Sequence, residues 1–326
     1  HKVWLWADYP NKWQRQDLGT DLVFEDTGGS VWAVQAKCYA EHRTTTKGDM
    51  NSFLADSSRE VVSRRLWLQT TNRMEQKAEK TLIGQDKPVT VFKLNDFRNS
   101  NLEYPSSFSD IHTAKPKAKP KPDAHQDEAI KALVDGLKKS DRGQMIMACA
   151  TGKTFTTLWI KEAMNAQTTL VLLPSLNLLS QTMREWSWGS NSDFDILNVC
   201  SDKSVGKTSE DMTAAEAPFP VTSEPEEIAA FLKKPSRKVL FCTYQSSPLI
   251  AEVQGDKSIP AFDLAIADEA HRCAGKVDAS FSTILDASKI RSKKRLFTTA
   301  TPRYFGKNVR DAAKLRDQEI VGMDDS

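Results

Sequence analysis

The chain has 326 residues, of which 39% are hydrophobic and 27% are charged, and its formal net charge is +2. It is long enough for two globular domains. No apolar run approaches the length of a membrane span and no signal-peptide pattern opens the sequence, so we expect a cytoplasmic location. Because the net positive charge is so small, any contact with nucleic acid must depend on local patches of basic residues. The five cysteines have no zinc spacing, so we expect free thiols in a reducing, cytoplasmic compartment, three of them in core strands: Cys149, Cys200 and Cys242.

The strand and helix patterns of residues 1–113 predict a small α/β domain with a mixed sheet. Two segments of alternating polarity are joined by the turn at 26–29, which indicates a β-hairpin. The periodicity after the hairpin switches between helix and strand. In chain order, the predicted elements are strands at 20–25 and 30–37, a helix at 50–62, a strand at 65–70, a helix at 75–83 and a strand at 89–94.

Polar side chains on this hairpin point to a metal-dependent hydrolytic site. Asp21 lies near the start of the first strand, and Gln35 and Lys37 lie two residues apart on one face of the second. A carboxylate, an amide oxygen and an ammonium group suit a Mg²⁺ ion with a water-activating lysine, which is the chemistry of phosphodiester hydrolysis. The alternative is a set of ordinary exposed polar residues on an edge hairpin.

The segment GTDLVFEDTGGSVWAVQAKCY, residues 19–39, resembles the Mrr-like branch of the PD-(D/E)xK nucleases. Glutamine replaces the usual acid before x-Lys in that branch. The resemblance therefore implies a Mg²⁺-dependent, restriction-endonuclease-like domain in which Asp21, Gln35 and Lys37 are catalytic, the first two as metal ligands. Such nucleases often add an acidic residue ahead of the hairpin, for which Asp8 and Asp17 are the candidates.

Residues 114–122, AKPKAKPKP, have no large apolar side chain and are rich in lysine and proline. This composition predicts an extended, self-repelling linker between a domain at 1–113 and a second domain at 123–326. Contact between the four lysines and DNA phosphates is the alternative.

The second domain alternates strands and helices, which predicts a parallel, doubly wound sheet with ligands at the carboxyl ends of its strands. An acidic, proline-containing insertion at 209–225 interrupts the alternation. The predicted strands are 145–149, 169–173, 196–200, 239–243, 262–267 and 295–298, and the predicted helices are 126–138, 155–163 and 176–186.

The first of these strands leads through a tight loop into a helix. Such a loop is an anion cradle, in which the amides of Thr151, Gly152, Lys153 and Thr154 and the lysine charge face a phosphate. The hydroxyl of Thr154 would contact the Mg²⁺ ion that accompanies the nucleotide. Because Met147 stands where the full P-loop pattern has glycine, an ordinary exposed turn is the alternative.

Asp268 and Glu269 follow the strand at 262–267, which we expect beside the P-loop strand. A carboxylate there would provide the second Mg²⁺ contact, with Glu269 orienting the attacking water. Helix capping is the alternative. The next strand runs into Thr299-Ala300-Thr301-Pro302, so ACATGKT, the DEAH box and TATP follow in the order of superfamily 2 helicases and translocases. The region resembles their RecA-like first motor domain.

That resemblance implies roles for further residues of the ATP site. Gln126 would read the adenine, and His271 would couple the nucleotide state to a partner domain. Thr299 and Thr301 would serve motor coupling. Contacts with DNA would fall on two strand-end loops, for which ordinary strand-to-helix turns are the alternative. The loop residues are Pro174 and Ser175, then Thr243, Tyr244 and Gln245.

A nuclease, a linker and a first motor domain in this order resemble the N-terminal part of single-polypeptide, type I-like restriction–modification enzymes. The resemblance implies a double-stranded DNA substrate, Mg²⁺ and ATP, and a second motor domain, a methyltransferase and a target-recognition domain in a longer polypeptide. In this family an arginine from the second motor domain assists hydrolysis, so we expect the chain to bind ATP but hardly hydrolyse it. The alternatives are a DNA-remodelling or defence helicase, and a DNA-binding module whose nuclease-like domain is inactive.

Overall fold

In the computed structural model of the chain, the described residues are 2–13, 19–26, 29–82, 85–87, 89–201, 220–273, 275–276, 282–301 and 320–321. The chain divides between Lys117 and Ala118 into two units, which we call unit 1 and unit 2. The predicted linker at 114–122 spans this division.

Unit 1 is built around a mixed sheet. Its strands are β1 Lys2–Leu5, β2 Leu22–Glu25, β3 Val31–Lys37, β4 Arg64–Gln69, β5 Val89–Phe92, β6 Leu102–Glu103 and β7 Lys115–Pro116, and its helices are α1 Lys47–Asp56, α2 Gln76–Leu82 and α3 Leu94–Arg98. The main sheet has the order β1-β2-β3-β4-β5, with antiparallel pairing from β1 to β3 and parallel pairing from β3 to β5. The mixed sheet predicted from the sequence is confirmed.

The helix α1 packs against one face of this sheet. It begins with a capping box between Thr46 and Asp49, and Met50 and Phe53 join Trp67 in the core. It ends at Asp56, so the predicted helix at 50–62 is too long. The hydroxyl of Ser57 donates to the Phe53 carbonyl at 2.5 Å and satisfies the end of the helix.

The structure also corrects the end of one predicted strand and the start of the predicted linker. The predicted strand at 89–94 stops at Phe92, because α3 begins two residues later. Part of the predicted free linker is paired, since β7 forms a short antiparallel ladder with β6.

Unit 2 contains a six-stranded parallel sheet. Its helices are α4 Ala124–Lys139, α5 Lys153–Ala163, α6 Leu176–Gly189, α7 Pro225–Lys233 and α8 Ser247–Gln254, and its strands are β8 Arg142–Ile146, β9 Thr168–Leu173, β10 Asp195–Val199, β11 Lys238–Thr243, β12 Phe262–Ala267, β13 Gly275–Lys276, β14 Ser292–Thr299 and β15 Ile320–Val321. The order of the parallel sheet is β10-β11-β9-β12-β14-β8, and β13 and β15 form a separate antiparallel pair. Continuous apolar runs such as LVLL in β9 are typical of strands covered on both faces. The predicted parallel, doubly wound architecture is confirmed.

The strand that leads into the P-loop differs from its prediction. β8 covers 142–146 rather than 145–149 and forms an edge of the sheet, which leaves Ile146 half exposed and Cys149 exposed beyond the strand end. The prediction of a buried Cys149 is therefore wrong, whereas Cys200 and Cys242 are buried as predicted.

The order of the sheet corrects a second expectation. β14 lies between β8 and β12, so the strand that precedes Asp268 is not the direct neighbour of the P-loop strand. The carboxyl ends of all three strands still meet at the same edge.

Two helices of unit 2, α7 and α8, escaped prediction. α7 begins at Pro225, the last residue of the predicted insertion, and most of that insertion (209–219) lies outside the described residues. None of the helices in the described ranges is both long and apolar enough to cross a membrane.

Candidate functional sites

The hairpin of unit 1 brings two of its three predicted catalytic residues into contact. Asp21 extends the ladder of β2, since its N–H donates to the Val34 carbonyl at 2.8 Å. Its carboxylate accepts hydrogen bonds from the Gln35 side-chain amide and from the Ala36 N–H, the latter at 2.7 Å. The strand pairing therefore aims the Asp21 carboxylate at the Gln35 side chain.

Gln35 and Lys37 share one face of β3 because they lie two residues apart. Gln35 is buried and Lys37 is half-buried. Lys37 is fixed through its backbone, since its carbonyl accepts the Thr70 N–H at 3.1 Å. The face thus carries a carboxylate, an amide and an ammonium group in the predicted order along the hairpin.

The donor set at this position fits a hard divalent cation. The Asp21 carboxylate and the Gln35 amide supply oxygen ligands, the kind that Mg²⁺ prefers. Among the described residues, no group of three or more His, Cys, Asp or Glu side chains is arranged to hold a metal ion. Asp8 is exposed at the end of a short 3₁₀ helix, and Asp17 lies outside the described residues.

A buried carboxylate that sequence reasoning missed supports the chain just before Asp21. Asp56 is 3% exposed and accepts hydrogen bonds from the Thr20 hydroxyl at 2.7 Å and from the Trp13 indole at 3.3 Å. The signal was available in the sequence, because Met50, Phe53 and Asp56 follow at helical spacing and put a charge on the apolar face of α1.

The P-loop of unit 2 depends on one glycine. Gly152 has φ +81° and precedes the first residue of α5, and a Cβ atom there would collide with the Gln126 side chain. The Thr151 hydroxyl closes the loop by donating to the Ala148 carbonyl at 2.7 Å. The Met147 N–H donates to the Thr299 carbonyl at 3.1 Å, so the loop is anchored on β14 without the glycine that the full pattern places at 147.

Gln126 is buried against this loop. Its Oε1 accepts the Asp123 N–H at 2.8 Å, and its Nε2 donates to the Thr151 carbonyl at 3.0 Å. The side chain predicted to read adenine thus also holds the P-loop in place.

Residues of the DEAH box converge on the P-loop at the carboxyl edge of the sheet. The Glu269 carboxylate lies 3.9 Å from the Lys153 ammonium and 3.2 Å from His271 Nδ1. The Thr298 hydroxyl donates to Asp268 Oδ1 at 2.6 Å. Burial raises the pKa of the Asp268 carboxyl above its ordinary value, although the hydrogen bond from Thr298 opposes this. A buried carboxylate of this kind fits the predicted Mg²⁺ contact, which Thr154 at the start of α5 would complete.

The two threonines predicted for motor coupling contact the DEAH histidine. His271 Nδ1 lies 3.0 Å from the Thr299 hydroxyl and 3.4 Å from the Thr301 hydroxyl. The Thr301 N–H also donates to the Thr299 hydroxyl at 3.1 Å. The His271 imidazole therefore connects the Glu269 carboxylate with Thr299 at the end of β14 and with Thr301 just after it.

The five residues predicted to touch DNA differ in accessibility. Pro174 and Thr243 are buried, and Tyr244 lies in the apolar core with its hydroxyl donating to the Asp268 carbonyl at 2.7 Å. The prediction that these residues contact DNA phosphates stays a prediction, because burial of the three side chains does not test contacts through the loop backbone. Ser175, which caps α6 through the Leu178 N–H, and Gln245 are half-buried.

A contact with Thr154 also escaped the sequence analysis. The buried Trp186 of α6 donates its indole N–H to the Thr154 carbonyl at 2.9 Å. Its ring packs edge-on against Phe241 of β11. Helical periodicity identified Trp186 as apolar, but it gave no indication of this partner.

Two family models match the chain. Residues 1–114 match the family described as "Restriction endonuclease", and residues 119–304 match the family described as "Type III restriction enzyme, res subunit". The predicted resemblance to an Mrr-like nuclease followed by a helicase-type motor is confirmed.

A solved structure titled "ATP-dependent Type ISP restriction-modification enzyme LlaBIII bound to DNA" is 30% identical to the chain and has a TM-score of 0.82, covering 99% of this chain and 22% of that one. "Probable helicase A859L" of African swine fever virus (isolate Tick/Malawi/Lil 20-1/1983) is 32% identical over 181 residues, which are 55% of this chain and 19% of that protein. The chain thus spans about a fifth of the length of these relatives.

Proposed function

The chain belongs to the family described as "Type III restriction enzyme, res subunit", and we propose that it acts in ATP-dependent DNA restriction, as a Mg²⁺-dependent endodeoxyribonuclease coupled to a double-stranded DNA translocase. The observation that carries the proposal is the approach of Glu269 to Lys153 at 3.9 Å, because it joins the DEAH box to the P-loop at one edge of the sheet. The Asp21–Gln35 contact in unit 1 supports a matching site for DNA cleavage, which these residues would form.

In unit 1, each catalytic side chain has a distinct task. Asp21 and Gln35 would hold Mg²⁺, which when bound polarises a phosphoryl oxygen and favours hydroxide over water. Lys37 shares the face of Gln35 and would take a proton from the attacking water or stabilise the developing negative charge. Asp56 and Thr20 fix the backbone ahead of Asp21 and keep its carboxylate in position.

In unit 2, the P-loop amides and Lys153 would bind the β- and γ-phosphates of ATP. Glu269 would orient the attacking water, and Thr154 and Asp268 would hold the accompanying Mg²⁺. His271 contacts both Glu269 and Thr299 and would transmit loss of the γ-phosphate to the segment after β14. Gln126 would read the adenine. The DNA backbone would be contacted by two strand-end loops, Pro174 and Ser175 in one and Thr243, Tyr244 and Gln245 in the other.

For the longer protein, we propose a second motor domain, a methyltransferase and a target-recognition domain as partners of this chain. The resemblance to a Type ISP restriction–modification enzyme supports this, since the chain covers 22% of that enzyme. Sequence recognition would then come from the partner domains, and duplex DNA would be the shared substrate.

A cleavage assay on plasmid DNA tests the nuclease assignment. We expect Asp21→Asn and Lys37→Met each to reduce Mg²⁺-dependent cleavage by at least about a hundredfold, because they remove a metal ligand and a proton acceptor. ATP affinity should not change in either variant. Glu25→Gln, at the far end of β2, is the matched control and should cleave at the wild-type rate.

Cleavage by Asp21→Asn at the wild-type rate would refute the assignment of the nuclease site to Asp21. Absence of Mg²⁺-dependent cleavage by the wild type would favour a DNA-binding module or a helicase without a nuclease. Loss of cleavage in Glu25→Gln as well would mean that the hairpin, and not its catalytic face, had been disturbed.

A further inference from the structure

A cavity of about 140 Å³ lies at the amino-terminal edge of the parallel sheet in unit 2. We call it the rear cavity, because the ATP-site candidates lie at the opposite, carboxyl-terminal edge. It is formed by the last turn of α5, the turn into β9, the segment after α6 and the residue before β11. Its polar lining comprises Lys161, Glu162, Asn165, Asn191, Ser192 and Arg237.

Lys161 is the unusual member of this lining. Its side chain is only 1% exposed, and its ammonium group has no hydrogen-bond partner among the described residues. Its charge lies over the Phe194 ring, whose centroid is 4.4 Å away, and the nearby Glu162 carboxylate favours it through space. An ammonium group has three N–H donors, and buried polar groups in proteins are normally hydrogen-bonded. Within the part of the chain that the structure describes, Lys161 therefore lacks an acceptor.

The neighbouring carboxylate does not provide one. Glu162 accepts hydrogen bonds from the Ser190 hydroxyl at 2.8 Å and from the Asn191 N–H and side-chain amide at 2.7 and 2.9 Å. No ion pair joins Glu162 to Lys161 within the described ranges, because its oxygens are held by these donors. Glu162 shapes the wall of the cavity, and its charge favours the Lys161 ammonium through space without supplying a hydrogen-bond acceptor.

Arg237 contributes a second positive charge. It is half-buried, and one of its guanidinium N–H groups donates to Asn165 Oδ1 at 3.0 Å. A guanidinium group has five N–H donors, so others are left for a ligand. Both α5 and α6 end at the rear cavity, and helix C-termini stabilise cations. These helix ends and the Glu162 carboxylate favour the two positive charges. Burial lowers the pKa of Lys161 to about 8, so the group is still mainly protonated at neutral pH.

We propose that the rear cavity binds one small oxyanion, such as inorganic phosphate, between Lys161 and Arg237. An oxyanion offers several acceptors to the unpaired ammonium group and to the spare guanidinium N–H groups. The volume of the cavity fits this class of ligand, because it exceeds the share of a single water (about 30 Å³) several times but falls short of the roughly 300 Å³ of sites for larger molecules. A nucleotide would not fit.

Titration calorimetry of the chain with sodium phosphate, at constant ionic strength, tests the proposal. All variants carry Lys153→Ala, which removes the P-loop cation and its competing anion site. We expect one phosphate to bind, with an affinity at least about tenfold lower after Lys161→Met and several-fold lower after Arg237→Gln, since hydrogen bonds to charged groups are lost. Lys131→Met, the same change on the exposed surface of α4, is the control and should leave the affinity unchanged.

Equal phosphate affinity in the Lys161→Met and Lys131→Met proteins would overturn the proposal. Circular dichroism will show whether Lys161→Met folds. If it does not, the phosphate affinities of Arg237→Gln and Lys131→Met are compared instead, and equal affinities of these two proteins would also overturn the proposal. A repeat in the presence of duplex DNA separates the two sources of phosphate. Unchanged affinity supports a free anion, and competitive loss would show that a DNA backbone phosphate occupies the cavity instead.

Discussion

Burial acts on two ionisable side chains of unit 2 in opposite directions. It raises the pKa of Asp268 at the carboxyl edge of the sheet and lowers the pKa of Lys161 at the amino edge. In both cases the charged form is disfavoured because it has left water with few partners. A cation beside Asp268 and an anion beside Lys161 would reverse these shifts, which is why each position is suited to a ligand of opposite charge.

We predict that Lys161→Met makes the protein more stable at pH 7, in buffer without phosphate. The pKa of Lys161 is about 8 in the folded chain and 10.5 in its reference state. The unfolded chain therefore binds more protons between these values, so the destabilisation by the wild-type lysine is fully present below pH 8 and disappears as the pH rises to 10.5. The penalty is on the order of 1–3 kcal/mol.

Urea denaturation of both proteins between pH 7 and pH 10.5 measures this effect. The stability of the wild type should rise towards that of Lys161→Met across the window. A difference between the two proteins that does not vary with pH would contradict the prediction.

Single residues were predictable where strand pairing alone determines the neighbours. The contact between Asp21 and Gln35 follows from the register of one hairpin, and the structure contains it. Tyr244 shows the limit, because its burial depends on α8, β12 and the Asp268 carbonyl, which come from distant parts of the chain. Local sequence carries no information about such partners.

At the scale of elements, α6 connects two candidate sites. Its N-cap residue is Ser175, a proposed DNA contact, and through Trp186 near its end it holds the Thr154 carbonyl at the start of α5. Gly189 at its C-terminus lies against Phe155, and a larger residue there would collide with that ring. The helix therefore fixes the P-loop helix from the side.

We predict that Trp186→Phe lowers the free energy of unfolding of unit 2 by about 1 kcal/mol, which is the net value of one hydrogen bond. The phenyl ring can keep the packing against Phe241, so the loss reports mainly on the N–H donor. Affinity for a non-hydrolysable ATP analogue should fall several-fold, because Thr154 loses support on one side.

The matched control is Trp159→Phe on α5, whose ring stacks on Phe155 and whose indole N–H has no hydrogen-bond partner recorded among the described residues. Calorimetry with the ATP analogue should give wild-type affinity for this variant. Equal losses in the two variants would show that ring size, and not the N–H donor, supports the ATP site.

Elements were predicted better than their order. Apolar runs located all six strands of the parallel sheet in unit 2, because such runs report burial on both faces. They do not report which strand lies beside which, so the position of β14 between β8 and β12 was missed. The edge position of β8 explains the shift of that strand, since Met147 and its neighbours leave the sheet early and build the loop.

At the scale of the whole molecule, the chain combines two units with separate cores and separate candidate sites. The candidate nuclease residues lie in unit 1 and the candidate ATP-site residues lie in unit 2. The boundary between the two units could be expected at the lysine- and proline-rich segment 114–122, because this segment interrupts all periodicity. The division between Lys117 and Ala118 falls within it. The pairing of β7 with β6 was not, because a two-residue ladder leaves no periodic signal.

We predict that scanning calorimetry of the chain resolves two unfolding transitions and that Mg²⁺ with a non-hydrolysable ATP analogue raises only one of them. A ligand that binds only the folded form stabilises it by about 2.7 kcal/mol at a hundred times its dissociation constant. Only unit 2 contains the P-loop, so only its transition should move. Lys153→Ala should abolish the movement, and Asp21→Asn, matched to it in unit 1, should retain it. A single transition that moves as a whole with the nucleotide would contradict this prediction, because it would mean that the two units unfold as one cooperative body.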